Sequence, residues 1–251
     1  MRTIDLAQNR SVKLNVGVHD YTLVVGQITK QQWMKYFAGI ESTAENVKGS
    51  RIESFDSSGA RLQLVTDSLV QASGYRVPGN GSITDLPDWQ QLIPSSHRIA
   101  LGNVLIGAER SATEETEAIM LGFEVIRLDA LWSNSEGGTD KVVGLKHAFG
   151  TPTVEQQRRY NRDMSRSQVV GGSRTGKTRW LGAQPTLVEL YDELITAVDG
   201  YSVNGQVLDF DNPDREAIIR NMDTFHKVVA AEALFTPVQP VFDEQKKKEA
   251  A

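Results

Sequence analysis

The chain has 251 residues, no cysteine and a net charge of −5. These totals exclude a disulfide framework, a thiolate zinc site and a cysteine nucleophile, and so mild an acidity argues against wholesale binding to nucleic acid or a membrane surface. Hydrophobic residues make up 39% and charged residues 24%, which suits a soluble chain with a core large enough for one large or two ordinary domains. Residues Met1 to Arg10 are polar and lack an apolar signal core, and no stretch approaches the roughly 20 apolar residues of a membrane span. The expectation is a protein made in the cytoplasm, with no membrane partner.

In chain order, Val12, Leu14, Val16 and Val18 alternate, a turn follows at His19-Asp20, and Tyr21, Leu23 and Val25 alternate again. Period-two patterning around a short turn predicts a β-hairpin. Thr29 and Gln32 form a capping box ahead of a helix containing Tyr36, with Ile28 and Trp33 placed as a hydrophobic staple. Ser42 to Ala60 reads as a polar loop. Leu62, Leu64, Val65 and Leu69 give a second helix that ends at Gly74-Tyr75, the glycine serving as a left-handed C-cap. A third helix runs from Ile93 through His97-Arg98 to about Leu105. Gly107 to Glu117 is poor in large apolar residues and reads as a linker or the end of a connecting strand.

The pattern then recurs. Ile126, Leu128, Ala130 and Trp132 alternate, Ser133 to Asp140 is turn-rich, and Val143, Leu145, His147 and Phe149 complete a longer hairpin. Thr153 and Gln156 repeat the capping box ahead of Tyr160. Val188, Leu190, Tyr191, Leu194 and Ile195 repeat the second helix, ending at Gly200-Tyr201. Met222 to Phe235, with His226-Lys227, repeats the third. The offset between matched residues drifts in one direction, as loop insertions would make it do.

The predicted fold class is α+β: two tandem copies of a unit made of a β-hairpin and three helices. The first copy is placed at 1–117 and the second at 118–243, with a frayed tail at 244–251. A duplicated unit suggests pseudo-two-fold geometry and repeated binding surfaces.

One motif invites a catalytic reading. Gly171 to Thr178 fits the phosphate-loop pattern, in which Gly171, Gly176, Lys177 and Thr178 hold the fixed positions. Backbone N–H groups would cradle phosphates, Lys177 would reach them and Thr178 would hold magnesium. The context opposes it. Only Val169-Val170 could supply the preceding strand, and Gly182 and Pro185 do not suit a helix directly after the loop. A mobile loop is the favoured reading.

Around that loop, Arg158, Arg159, Arg162, Arg166, Arg174 and Arg179 form a basic stretch, suited to a partner's acidic face or a solvated helix face. The interleaved aromatics needed for single-strand binding are thin. His19, His97, His147 and His226 lack the spacing of a zinc helix, and structural roles are expected for them. Asp209, Asp211 and Asp214 lack the glycine and terminal glutamate of a calcium loop. No Gly-x-Ser-x-Gly elbow is present.

His147 to Thr153, then Tyr160-Asn161-Arg162, Leu190 to Leu194, Gly200-Tyr201 and His226-Lys227 together resemble proteins of tailed-bacteriophage tail modules. The hairpin, Pro-Thr and helix opening is similar to tail assembly chaperones. The resemblance implies a non-enzymatic morphogenesis or structural protein without a cofactor, found in the host cytoplasm during assembly or in the virion. Its partners would be other tail or head-to-tail proteins, and a homo-oligomer is compatible with it. A nucleotide-binding enzyme using Gly171–Thr178 and a nucleic-acid-binding protein using residues 158–179 are the alternatives.

Overall fold

The computed structural model describes residues 3–47, 50–77, 79, 81–111, 122–133, 138–165, 168–170, 177–181, 183–211 and 213–236. The first part contains β1 (Ile4–Asp5), β2 (Arg10–Val16), β3 (His19–Val25), α1 (Lys30–Ala38), β4 (Glu41–Val47), β5 (Ser50–Asp56), α2 (Ser58–Ser68) and β6 (Leu69–Ser73). A 310 turn at Ile83–Asp85, α3 (Trp89–Leu92) and α4 (Ser95–Leu105) complete it. After β7 (Ala108–Arg110) come β8 (Phe123–Ser133), β9 (Thr139–Gly150), α5 (Val154–Ser165), β10 (Gln168–Val170), β11 (Lys177–Leu181) and α6 (Gln184–Leu194). Then follow β12 (Ile195–Asp199), β13 (Tyr201–Val203), β14 (Gln206–Leu208), α7 (Arg215–Asn221) and α8 (Thr224–Phe235). The architecture is mixed α+β.

Both capping boxes form. The Gln32 N–H donates to Thr29 Oγ1 while Thr29 N–H donates to Gln32 Oε1, and Gln156 and Thr153 repeat the exchange. Each satisfies helix N-terminal donors that would otherwise need water. The helices then turn their apolar faces inward: Trp33, Tyr36 and Phe37 from α1, Leu64 and Val65 from α2, Leu187, Val188, Leu190 and Tyr191 from α6 are all buried.

The sheets of the two halves share one ladder that corresponds residue by residue. Their strand orders are β2-β3-β6 and β12-β9-β8-β7. β3 meets β6 through Thr22–Ser73, Leu23–Ala72, Val24–Gln71 and Val25–Leu69. β9 meets β12 through Lys146–Asp199, His147–Val198, Ala148–Ala197 and Phe149–Ile195. Every pair of the second ladder lies 124 residues beyond its counterpart on one strand and 126 on the other, and both ladders skip one residue at the same point.

Several local expectations change. The first hairpin turns at Gly17-Val18, with Val16 opposite His19, so His19 and Asp20 belong to β3. Val18 is accordingly 93% exposed. The stretch Ser42 to Ala60, expected as a polar loop, is the β4–β5 hairpin and the start of α2. Gly74 and Gly200 do not cap helices. Each follows a short strand, β6 or β12, because α2 and α6 stop at Ser68 and Leu194. No glycine or proline separates helix from strand there, so spacing alone runs the two together. In β9, Gly144 at φ +71° sits in a bulge where the Asp129 carboxylate accepts its N–H at 3.1 Å. The extra residue flips the alternation: Val143 is 57% exposed while Val142 and Leu145 are buried.

The halves are interwoven. β1 pairs in parallel with β13, and β7 pairs with β8. The hairpins β4–β5 and β10–β11 combine into one four-stranded sheet, ordered β10-β11-β4-β5. Trp33 and Phe37 of α1 stack against Phe225 of α8, with ring centroids 5.3 and 6.3 Å apart. One continuous cluster of buried side chains draws on both halves. The expected pseudo-two-fold relation does not describe this join. A two-fold axis would pair like with like, whereas β11, a second hairpin strand, pairs with β4, a first one. The relation is head-to-tail. Among the described residues, no helix is long and apolar enough to cross a membrane.

Candidate functional site

Polar side chains gather where α6, α8, β9 and β13 meet. His147 Nδ1 lies 2.9 Å from the Tyr191 hydroxyl and its Nε2 lies 2.9 Å from the Tyr201 hydroxyl. Tyr201 in turn lies 3.0 Å from His226 Nδ1. All four side chains are buried. A hydroxyl has one proton and a neutral imidazole one N–H, so the chain is satisfied when every donor points the same way. One such assignment has Tyr191 donating to His147, His147 to Tyr201 and Tyr201 to His226.

That assignment requires neutral rings, and the surroundings enforce them. Burial holds His147 well below the ordinary imidazole range, with His226 adding repulsion. His226 is lowered to about 3, by burial first and then by the charge of Arg10. Burial pushes Tyr191 and Tyr201 well above 10. At neutral pH the cluster carries no charge and offers neither a general base poised near 7 nor an activated nucleophile.

The first half holds a smaller counterpart. The Tyr75 hydroxyl lies 2.8 Å from His97 Nδ1, and Tyr21 packs on both rings with centroids 4.7 Å away. The residues aligned in sequence as Gly-Tyr and His-basic pairs therefore bond to one another within each half.

Beside the relay of rings, Arg10 bridges the halves. β2 places it on the same strand face as Val12, and it is as buried as the core. Its Nη2 donates to the Val104 and Leu131 carbonyls at 3.1 and 2.9 Å, and its guanidinium lies 3.9 Å over the Trp132 ring. Nε and Nη1 have no partner among the described residues. Burial lowers its pKa to about 10, opposed by the charge of Asp223. Asp223 accepts from the Phe225 N–H at the start of α8. Lys227, also buried, donates to Asp192 at 2.6 Å and to the Ile219 carbonyl at 2.8 Å. A cleft of about 360 Å³ opens between the halves, lined by these residues together with Lys30 and Arg220. Its wall carries Arg10, Lys30, Arg220 and Lys227 against Asp192 and Asp223, and of these Lys227 and Asp192 form an ion pair.

The residues singled out from sequence are not brought together here. Lys177 and Thr178 lie in β11, antiparallel to β10 and to β4, and α6 begins only at Gln184. A phosphate loop runs straight into a helix, and that order is not the one seen. Gly171, Gly176, Arg166 and Arg174 lie outside the described residues, and Arg179 is in β11. On α5, Arg158 is exposed, Arg162 pairs with Asp163 at 2.9 Å, and Arg159 pairs with Glu193 at 2.7 Å. Burial alone would raise Glu193, but Gln156 and Arg159 hold it below the usual carboxylate range. This bridge has a counterpart too: Lys35 meets Asp67 at 3.7 Å, at equivalent positions on α1 and α2. Arg159 is thus a link between helices. Among the described residues, no group of histidine and carboxylate side chains could hold a metal ion.

Sequence reasoning assigned the histidines structural roles but missed Arg10. The alternation Arg10, Val12, Leu14 carried the signal, since it places the arginine on the buried face. No family model, curated protein or solved structure matches the chain.

Proposed function

We propose that the chain is a non-enzymatic assembly protein that works by binding other protein subunits, in the setting of a tailed-phage tail module. The observation that carries this reading is the sheet β10-β11-β4-β5, in which hairpins from the two halves join edge to edge. A scaffold whose own halves associate by strand pairing has the means to bind further subunits in the same way. The tail-module setting is supported by the motif resemblance alone. Its polar members, His147, Tyr191, Tyr201 and His226, form one buried network in this chain.

On this reading the protein acts in the host cytoplasm during assembly, and its partners are tail or head-to-tail proteins. The test is the composition of purified virions and tail intermediates from the phage or prophage that encodes it. The chain is expected in a fixed ratio to tail proteins in one of them. Its absence from both, together with magnesium-dependent nucleotide binding lost in Lys177→Ala, would replace this reading with the phosphate-loop one.

A further inference from the structure

We propose that this chain assembles head-to-tail with further copies of itself, β5 of one copy pairing with β10 of the next. The inference rests on the reading of the chain as an assembly protein and names its partner. It follows from how the two halves already meet.

The two inserted hairpins occupy equivalent places. β4–β5 lies between α1 and α2, and β10–β11 lies between α5 and α6. α1 begins at Lys30 and α5 at Val154, 124 residues later; α2 begins at Ser58 and α6 at Gln184, 126 later. β4 therefore corresponds to β10, and β5 to β11. Inside the chain, β11 pairs antiparallel with β4 through Lys177–Thr43, Thr178–Ser42 and Arg179–Glu41. In terms of the unit, a second strand meets a first strand. The same operation applied once more takes the free second strand, β5, to a free first strand, β10. These are the two strands with a single strand neighbour in that sheet among the described residues. Because both are used by the same chain, they cannot satisfy each other without a second copy.

A second join points the same way. β8 receives β9 on one side and β7, from the end of the first half, on the other. Its counterpart β2 has only β3 beside it among the described residues. The interface that the first half makes with the second is thus left open where the second half would meet a following first half. A heterologous contact of this kind generates rings or helical filaments, and an isologous dimer would not use it.

Charge favours the pairing. The stretch 41–56 carries Glu41, Glu45, Glu53 and Asp56 against Lys48 and Arg51. The stretch 165–182 carries Arg166, Arg174, Lys177 and Arg179 and no acid. The internal β11–β4 join brings an acidic hairpin to a basic one, and the β5–β10 join brings the same two signs together again. Opposite charge steers and fixes such a contact.

The chain's lack of cysteine makes the test clean. Carried over by the same offsets and extended by one residue beyond the three internal pairs, the register aligns Ser50 of β5 with Gln168 of β10. Full-length protein carrying Ser50→Cys and Gln168→Cys is oxidised, and size is read by denaturing gel and by light scattering of the unmodified chain. The expected result is a ladder of covalent multimers beyond the dimer, weakening as salt is raised. Either cysteine alone faces no thiol across the join and stays monomeric on the denaturing gel. Glu53→Lys, with unfolding temperature checked to show that the fold persists, raises the concentration needed for multimers by roughly tenfold. An unmodified chain that stays monomeric at every concentration, with no ladder from the double variant, overturns the proposal. So does efficient dimerisation through one cysteine alone, which means like strands meeting. A monomer that still sits in tail intermediates sinks this inference and leaves the assembly reading standing.

Discussion

At the scale of single residues, the Tyr–His network sets clear expectations. Tyr201→Phe removes the hydroxyl that meets both His147 and His226, stranding two buried ring nitrogens at a cost of roughly 2–4 kcal/mol. Tyr75→Phe removes one bond at a half-buried position, for roughly 1 kcal/mol. Urea unfolding of the two variants measures the difference. The histidines also make stability depend on pH. His226 is lowered to about 3 in the fold, whereas an unfolded histidine titrates near 6.5. Between those values the unfolded state binds more protons, so stability is full above about 6.5 and falls as the pH drops towards 3. By about pH 5, His226 alone removes roughly 2 kcal/mol, and His147 acts in the same direction. His226→Gln should flatten this slope. If the unfolding midpoint moves equally with pH in both proteins, the neutral-ring account is wrong. These partners were only half legible in the sequence. Tyr75 and Tyr201, and His97 and His226, could be matched between copies, but nothing in a repeat says that matched residues touch each other.

At the scale of elements, what could be read locally came through. The hairpins β2–β3 and β8–β9 alternate, and α1 and α5 carry capping boxes, because these signals are written within a few residues. Thr29→Ala or Thr153→Ala should each cost about 1 kcal/mol. The β4–β5 hairpin gave no such signal. Its residues are mostly polar and lack period-two alternation, and besides its own seven pairs it joins β11, more than 120 residues away in sequence. A sequence window does not contain that partner. The strands β6 and β12 were hidden for another reason: each follows its helix without a breaker. Gly74 marks the real boundary. It stands at φ +92°, and a Cβ there would collide with the Asp20 carbonyl oxygen. Gly74→Ala should therefore cost roughly 2 kcal/mol or more. Gly144→Ala, equally left-handed at φ +71° but facing open space, should cost nearer 1 kcal/mol. Thermal unfolding of the pair separates collision from backbone strain.

At the scale of the whole molecule, the two halves have matching ladders yet share one core. Arg10 bonds to α4 and β8 at once, and β1 completes a sheet with β13. Unfolding should be a single cooperative transition, with coincident curves by far-ultraviolet circular dichroism and tryptophan fluorescence. Residues 122–236 expressed alone should lack a stable fold, since they lose Arg10, Trp33, Phe37 and β1 from their packing. A cooperative melt from that fragment would show that the halves are independent after all. Composition and periodicity made the mixed α+β class legible. How the units meet was not legible, because a repeat is silent about whether its copies are related by a two-fold axis or follow head to tail.

The pairing of β1 with β13 also bears on how the molecule comes into being. Ile4 lies against Tyr201, nearly 200 residues further along. At synthesis rates of about 5–20 residues per second, Ile4 leaves the ribosome some 10–40 seconds before its neighbour exists. Ile4 and Asp5 are therefore among the last of the described residues to find their place. Until then, Ile4 and Leu6, both buried in the finished fold, stay exposed to solvent on the growing chain.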